Sequence, residues 1–185
     1  MAKKKSKKKH RRRRWNCVAS RVSAGAIGAE VGVYEGAMSK ALFKLIPDLR
    51  LYMVDRWKVY SEDERIGSPK TKIARILDAK EWKRIYMAAK KVAAAWPGAH
   101  IIQADSVDAA PFIADASLDF VFIDGDHAYE GVKRDIAAWR SKVKPGGWLM
   151  GHDYGNKPDG GVRRAVDELG MKVELDSDHV WAVRI

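Results

Sequence analysis

The 185 residues contain a single cysteine, Cys17, so no disulfide can form within the chain. That excludes a small disulfide-held scaffold and fits a reducing compartment. No apolar run approaches the roughly 20 residues that cross a bilayer, and there is no secretory h-region. An intracellular, cytoplasmic protein with no membrane span is therefore expected. Internal repeats are absent, and so is any RNA-binding motif in which aromatic and basic residues alternate. What the chain does have is 46% hydrophobic residues and seven tryptophans, enough for one folded domain with a real core.

The formal charge of +11 is unevenly distributed. Residues 1–14, MAKKKSKKKHRRRR, hold ten of the 35 Lys and Arg; without them 25 basic residues face 24 acidic ones. The body, 15–185, is nearly neutral and the tail is a separate electrostatic device. Such a block buries no apolar surface and is expected to be disordered when free. It reads as an arm for nucleic-acid phosphates, as an import-like signal, or as a solubilising segment without a dedicated partner.

The organising stretch is 29–45, AEVGVYEGAMSKALFKL. An apolar run with Val31 and Val33 meets a glycine-punctuated turn, Gly32 to Gly36, and Ser39 opens an apolar-periodic segment. This is the pattern of a buried strand, a tight turn and a helix start. A second apolar run, 51–54, ends in Asp55, a carboxylate able to accept hydrogen bonds from ribose hydroxyls. Two acids, Glu30 and Glu35, flank the turn. They would repel the pyrophosphate of a dinucleotide at this helix start, and they suit the ammonium and sulfonium of S-adenosylmethionine (SAM). Glu30 also stands where a dinucleotide fingerprint has its first glycine.

Further along, 57–67 reads as a loop above the sheet, and Ser68-Pro69 as the start of one or two helices reaching Trp96. Strands are expected at 100–105, 118–123 and 148–150, and helices at 129–143 and 161–169. Lys144-Pro145-Gly146-Gly147 reads as a hard stop. Segments 171–175 and 179–185 are expected to form a terminal hairpin across Asp176-Ser177-Asp178. Alternating strands and helices predict a three-layer α/β domain with a mostly parallel sheet, its ligand beyond the carboxyl ends of the strands. The acids fall there: Glu30, Asp55, Asp105, the pair Asp124 and Asp126, and Asp153.

The chain resembles the class I SAM-dependent methyltransferases, and among them the small O-methyltransferase group of the macrocin O-methyltransferase type. The residues that carry the resemblance are EVGVYEG (30–36), MVDRW (53–57), ADSVDAAP (104–111), DFVFIDGDHAYEGVKRDIAAW (119–139), VKPGGWLMGHDY (143–154) and GVRRAVDE (161–168). The resemblance implies a Rossmann-like, seven-stranded sheet whose last strand is antiparallel. It implies that Glu30, Gly32 and Gly36 line the methionine part of SAM, Asp55 the ribose, and Asp105 with Ser106 the adenine edge. Trp57 follows the ribose acid and is expected either to stack on adenine or to wall the acceptor pocket.

A second constellation follows strands four and five: Asp124, Asp126 and His127, then His152 and Asp153. Its oxygens suit Mg²⁺ or another divalent cation, whereas its histidines tilt towards a transition metal. By resemblance, Asp124 and Asp153 would be the metal ligands and Asp126 the general base; His127 and His152 are further catalytic candidates or hydrogen-bonded scaffold. His152 departs from the family pattern, where a second carboxylate is usual. The expected activity is O-methylation of a hydroxylated small molecule or sugar. The alternatives are methylation of nucleic acid (RNA) with the basic tail supplying phosphate affinity, and a SAM-binding protein without turnover. The N/D-P-P-Y signature of amino-group DNA methylation is absent. With little inserted substrate domain, a partner subunit, such as a second copy in a homo-oligomer, is expected to complete the pocket.

Overall fold

The computed structural model describes residues 14–59, 78–156 and 160–185. Residues 14–19 are helical (α1) and precede the strand β1, Ile27–Val31. There follow α2 (Ala37–Leu45), β2 (Arg50–Asp55), α3 (Ala79–Ala93) and β3 (Ala99–Gln103). The second half comprises the short α4 (Ser106–Ala109) with a 3₁₀ turn (Ala110–Phe112), β4 (Leu118–Ile123), α5 (Tyr129–Arg140), β5 (Val143–Gly151), α6 (Gly161–Asp167), β6 (Glu174–Asp176) and β7 (Val180–Arg184).

The seven strands lie in the order β3-β2-β1-β4-β5-β7-β6. Strands β1 to β5 are mutually parallel, and β7 runs antiparallel to β5 and to β6. Alternation along each strand sends side chains to two cores. Leu51, Met53, Phe120 and Phe122 meet residues of α1, α2 and α3 on one face. Ala29, Val31, Val54, Val121 and Ile123 meet those of α4, α5 and α6 on the other. Covering both faces is what lets a parallel sheet carry such apolar strands. No described helix is long and apolar enough to cross a membrane. Cys17 is buried, and its thiol donates to Ser177 O at 3.9 Å.

Several boundaries depart from the sequence expectation, each for a local reason. Lys144 to Gly147, expected to stop the helix ahead of a strand at 148–150, lie inside that strand: the helix ends at Arg140, and β5 starts at Val143 and passes through them, with a register shift opposite Leu118 and Phe120. Gly146 takes φ +80 there, and a Cβ at Gly147 would lie 2.8 Å from Asp119 O, so the glycines let the strand bend rather than end. Ser39, expected to open the helical segment, lies inside α2, which starts at Ala37 with Gly36 as its N-cap; the Ser39 hydroxyl donates to Glu30. The described helix before Trp96 begins at Ala79, with the Asp78 side chain accepting from the Lys80 N–H. The Ser68-Pro69 start and most of the expected 57–67 loop lie outside the described residues. Arg14, grouped with the basic tail by composition, is helical.

The strand order reverses between β2-β1 and β4-β5, so the crevice at their carboxyl ends is the topological switch point where such sheets bind ligands. The register there decides what meets what. Val31 pairs with Ile123, and the Asp124 N–H donates to Val31 O at 2.8 Å, which puts the turn after β1 against Asp124. Ile123 pairs with Gly151, and the His152 N–H donates to Ile123 O at 3.1 Å, which puts His152 beside Asp124.

Candidate active site

The turn after β1 is held by β2. Asp55 Oδ2 accepts the Tyr34 N–H at 2.8 Å and Oδ1 accepts the Trp57 N–H at 3.0 Å. The Trp57 indole N–H donates to Tyr34 O at 2.8 Å. These bonds hold Tyr34 at φ 56, a left-handed conformation costly for a bulky residue. Gly32 sits at φ +92, and a Cβ on it would lie 2.4 Å from Asp124 O. Only glycine permits that approach between the tips of β1 and β4.

Glu30, 2% exposed, points into this crevice edge and accepts the Ser39 hydroxyl at 2.5 Å. Burial pushes its carboxyl up to about 8, against the Ser39 hydrogen bond and with the negative charge of Asp124 adding to the rise.

At the ends of β2 and β3 a cleft of about 310 Å³ is lined by Arg56, Lys58, Gln103, Ala104, Asp105 and Asp108. Asp105 faces it, paired to Arg56 at 3.3 Å and Lys58 at 3.4 Å. This is where the resemblance puts the adenine edge. Ser106 instead turns towards α5: its hydroxyl accepts the Trp139 indole N–H at 2.9 Å. Two other expected cofactor residues also face elsewhere. Trp57 is buried against Tyr86, ring centroids 5.0 Å apart, rather than presented for stacking. Glu35 pairs with Arg84 of α3 at 2.7 Å. Their chemistry suggested ligand contacts; helix α3, packed on this face, supplies closer partners.

The second constellation assembles, with one exchange of members. His127 Nε2 lies 3.2 Å from Asp153 Oδ2 and 3.6 Å from Asp124 Oδ1. His152 Nδ1 lies 3.0 Å from Asp153 Oδ1 and 3.5 Å from Asp124 Oδ1. Asp153 is in the left-handed region at φ 64 and also accepts the Asn156 amide at 2.7 Å. Asp126, the expected base, is not in the cluster. Its Oδ1 accepts the Ala128 N–H at 2.9 Å, and its Oδ2 lies where a Cβ on Gly131 would clash, so it braces the start of α5. The sequence reading missed two members. Arg14 lays its guanidinium on Asp124 Oδ2, and Asp178 Oδ2 lies 3.9 Å from His152 Nε2. The apolar Trp15, Cys17 and Val18 hinted that folded structure starts inside the basic run. Asp178 had no signal beyond being a turn acid, and reaches the site because β7 pairs with β5.

Burial alone would raise the carboxyls of Asp124 and Asp153. Hydrogen bonds from His127 and His152 to Asp124, and from His152 to Asp153, reverse this and hold both well below the usual carboxylate range, with Arg14 adding to the effect on Asp124. Burial disfavours charge on His152 too, but the bonds to Asp124 and Asp153 win and raise it to about 9. His152 is therefore a cation at neutral pH and not a base. One donor atom each from Asp124, His152 and Asp153 lie within 4.8 Å of one another, a spacing a divalent ion can bridge, although Arg14 already takes one Asp124 oxygen.

A family profile described as a methyltransferase domain matches residues 29–154, from β1 through the second cluster. The chain belongs to that methyltransferase family. The matched stretch includes the crevice just described, at the switch point where sheets of this kind bind ligands. No curated protein sequence matches it. Among solved structures it is similar to the Aeropyrum pernix fibrillarin bound to SAM, with 13% identity, 89% of this chain and 68% of that chain covered, and a TM-score of 0.58. It is also similar to the O-methyltransferase NovP, with 17% identity, 86% and 71% covered, and a TM-score of 0.57. A Staphylococcus aureus protein assigned as a caffeoyl-CoA O-methyltransferase gives 16% identity, 86% and 75% covered, and a TM-score of 0.59. At these identities the methyltransferase neighbours share the fold. The chain spans 65% of the length of another match, a protein of Bordetella parapertussis.

Proposed function

We propose that the methyltransferase acts on a hydroxyl oxygen of a small molecule or sugar held over the Asp124–His127–His152–Asp153 cluster. The observation that carries this reading is the position of the cluster beside the glycine turn, so that a methyl donor seated on Glu30 and Asp55 would face it. In the reaction the acceptor oxygen attacks the SAM methyl carbon, the carbon–sulfur bond breaks with its electrons going to sulfur, and the hydroxyl proton is taken up by His127. His152, already charged, stabilises the negative charge that develops on the oxygen. The O-methyltransferase neighbours support the choice of oxygen.

Calorimetry with SAM and NADH tests the cofactor, and mass spectrometry of extracts incubated with trideuteromethyl-SAM tests the acceptor. Trideuteromethyl groups on hydroxyl oxygens, lost in His127→Ala, are expected; SAM binding without any labelled product would sink the reading. Turnover that survives millimolar EDTA excludes the metal-assisted version, in which Mg²⁺ would rest on Asp124 and Asp153 after Arg14 had left.

RNA methylation is the second reading, favoured by the basic run 1–14 and by fibrillarin among the neighbours. Removing residues 2–13 should then weaken RNA binding and flatten its salt dependence. Equal RNA affinity with and without those residues would remove this reading.

A further inference from the structure

Three carboxylates converge at the ends of β4, β5 and the β6-β7 turn: Asp124, Asp153 and Asp178. Arg14 lies between two of them, its guanidinium on Asp124 Oδ2 and its Nε 3.7 Å from Asp178 Oδ2. The group is enclosed: side-chain exposure is 18% for Arg14, 17% for Asp124 and 4% for Asp178. His152, nine-tenths buried, aims its Nε2 at the same Asp178 without a hydrogen-bond partner, so the space is shaped around charge. Acids brought this close need a positive charge among them, from a bound ion or from the chain itself.

Besides the charged His152, the chain supplies Arg14, a cation with little freedom left to lose. Arg14 stands on α1, whose Cys17 and Val18 are buried in the core. Just past α1, Arg21 donates to Asp176 at 2.9 Å and to Glu174 at 3.2 Å, tying this segment to the hairpin that carries Asp178. A tethered cation has an effective concentration of about millimolar or more. A guanidinium is also permanently charged, and its fork matches carboxylate oxygens.

We infer that Arg14 is the resident cation of this site: it fills the place a divalent ion would take on Asp124, and the intact chain acquires a metal site only when Arg14 is removed. This concerns the same cluster as the proposed methyl transfer but is read out by metal binding alone. SAM calorimetry tests that proposal separately, so the failure of either is distinguishable.

The experiment is a Mn²⁺ titration of the full-length protein, followed by the loss of the free-ion electron paramagnetic resonance signal and by calorimetry. Wild type is compared with Arg14→Gln, Arg14→Ala, Arg14→Lys and the double variant Arg14→Gln/Asp124→Asn. Arg14→Gln and Arg14→Ala are expected to bind one Mn²⁺ at least roughly ten-fold more tightly than wild type, as expected on removing a tethered competitor. Arg14→Lys, which keeps a positive charge on the same helix, should stay as weak as wild type, and the double variant should lose the gain. Arg14→Gln and Arg14→Lys keep the comparison intact should Arg14→Ala fail to fold. Equal Mn²⁺ affinity in wild type and Arg14→Gln overturns the inference, as does tight binding that persists without the Asp124 carboxylate.

Discussion

The Asp55 carboxylate accepts the backbone N–H of Tyr34 across 2.8 Å, from the tip of β2 to the turn after β1. The acid expected at the ribose is thus also the group that shapes the turn after β1. Its second oxygen accepts the Trp57 N–H, so both oxygens act on backbone.

Asp55→Ala should therefore lower stability as well as SAM affinity. Each N–H left dry and unpaired costs about 1–3 kcal/mol. Asp55→Asn keeps one acceptor oxygen and should lose less. Urea midpoints of the three proteins check this; an unchanged midpoint in Asp55→Ala would show that the turn stands without the carboxylate.

Gly32→Ala should be worse for binding than for folding. The methyl group would meet Asp124 O at 2.4 Å, and φ +92 is strained for any L side chain. The backbone must move apart between β1 and β4, at the proposed meeting point of cofactor and acceptor, at a cost on the order of 1–3 kcal/mol. Loss of SAM binding with a modest drop in melting temperature is the expected pair of results. Wild-type SAM affinity would contradict the close approach.

SAM binding should release a proton near neutral pH. Burial raises the Glu30 carboxyl to about 8, so below that pH the free protein holds it protonated. An ammonium or sulfonium beside it favours the carboxylate and lowers its pKa in the complex. Affinity should then rise with pH up to about 8 and level off above it. Calorimetry in buffers of different ionisation enthalpy counts the proton, and Glu30→Gln should abolish the pH slope. Proton uptake, or none, would remove Glu30 from the cation site.

The same value sets part of the pH–stability curve. A carboxyl with a raised folded pKa contributes stability at low pH that is lost as pH rises from 4.5 to about 8. His152 acts in the same direction over a later window. Its folded pKa of about 9 lies above the ordinary 6.5, so its contribution is complete below 6.5 and is lost as pH rises through 9. Melting temperatures between pH 6 and 9.5 should decline, and His152→Asn should flatten the alkaline part. A decline equally steep in the variant would show that His152 is not charged in the folded protein.

The sheet was legible because its strands are short apolar runs punctuated by glycine or acids, and because helix periodicity survives between them. Asp124, His127, His152 and Asp153 were legible as a cluster because two sequential parallel strands place their tips side by side. Asp126 was misread since IDGDH offers two acids two residues apart, and only the path into α5 shows which one turns back to the Ala128 N–H. Trp57 and Glu35 were misread since the packing of α3 over the turn cannot be seen in the chain on either side of it.

The order of apolar runs, glycines and acids by itself determined the three-layer fold and the edge at which the ligand binds, because alternation and βα connection geometry are local properties of the chain. Which charges neutralise one another was decided only by tertiary structure. Arg14 and Asp178 stand 164 residues apart in sequence, and they meet at Asp124 and His152 because α1 packs on the sheet while β7 pairs with β5. Charge pairing depends on distance in space, which no local pattern encodes.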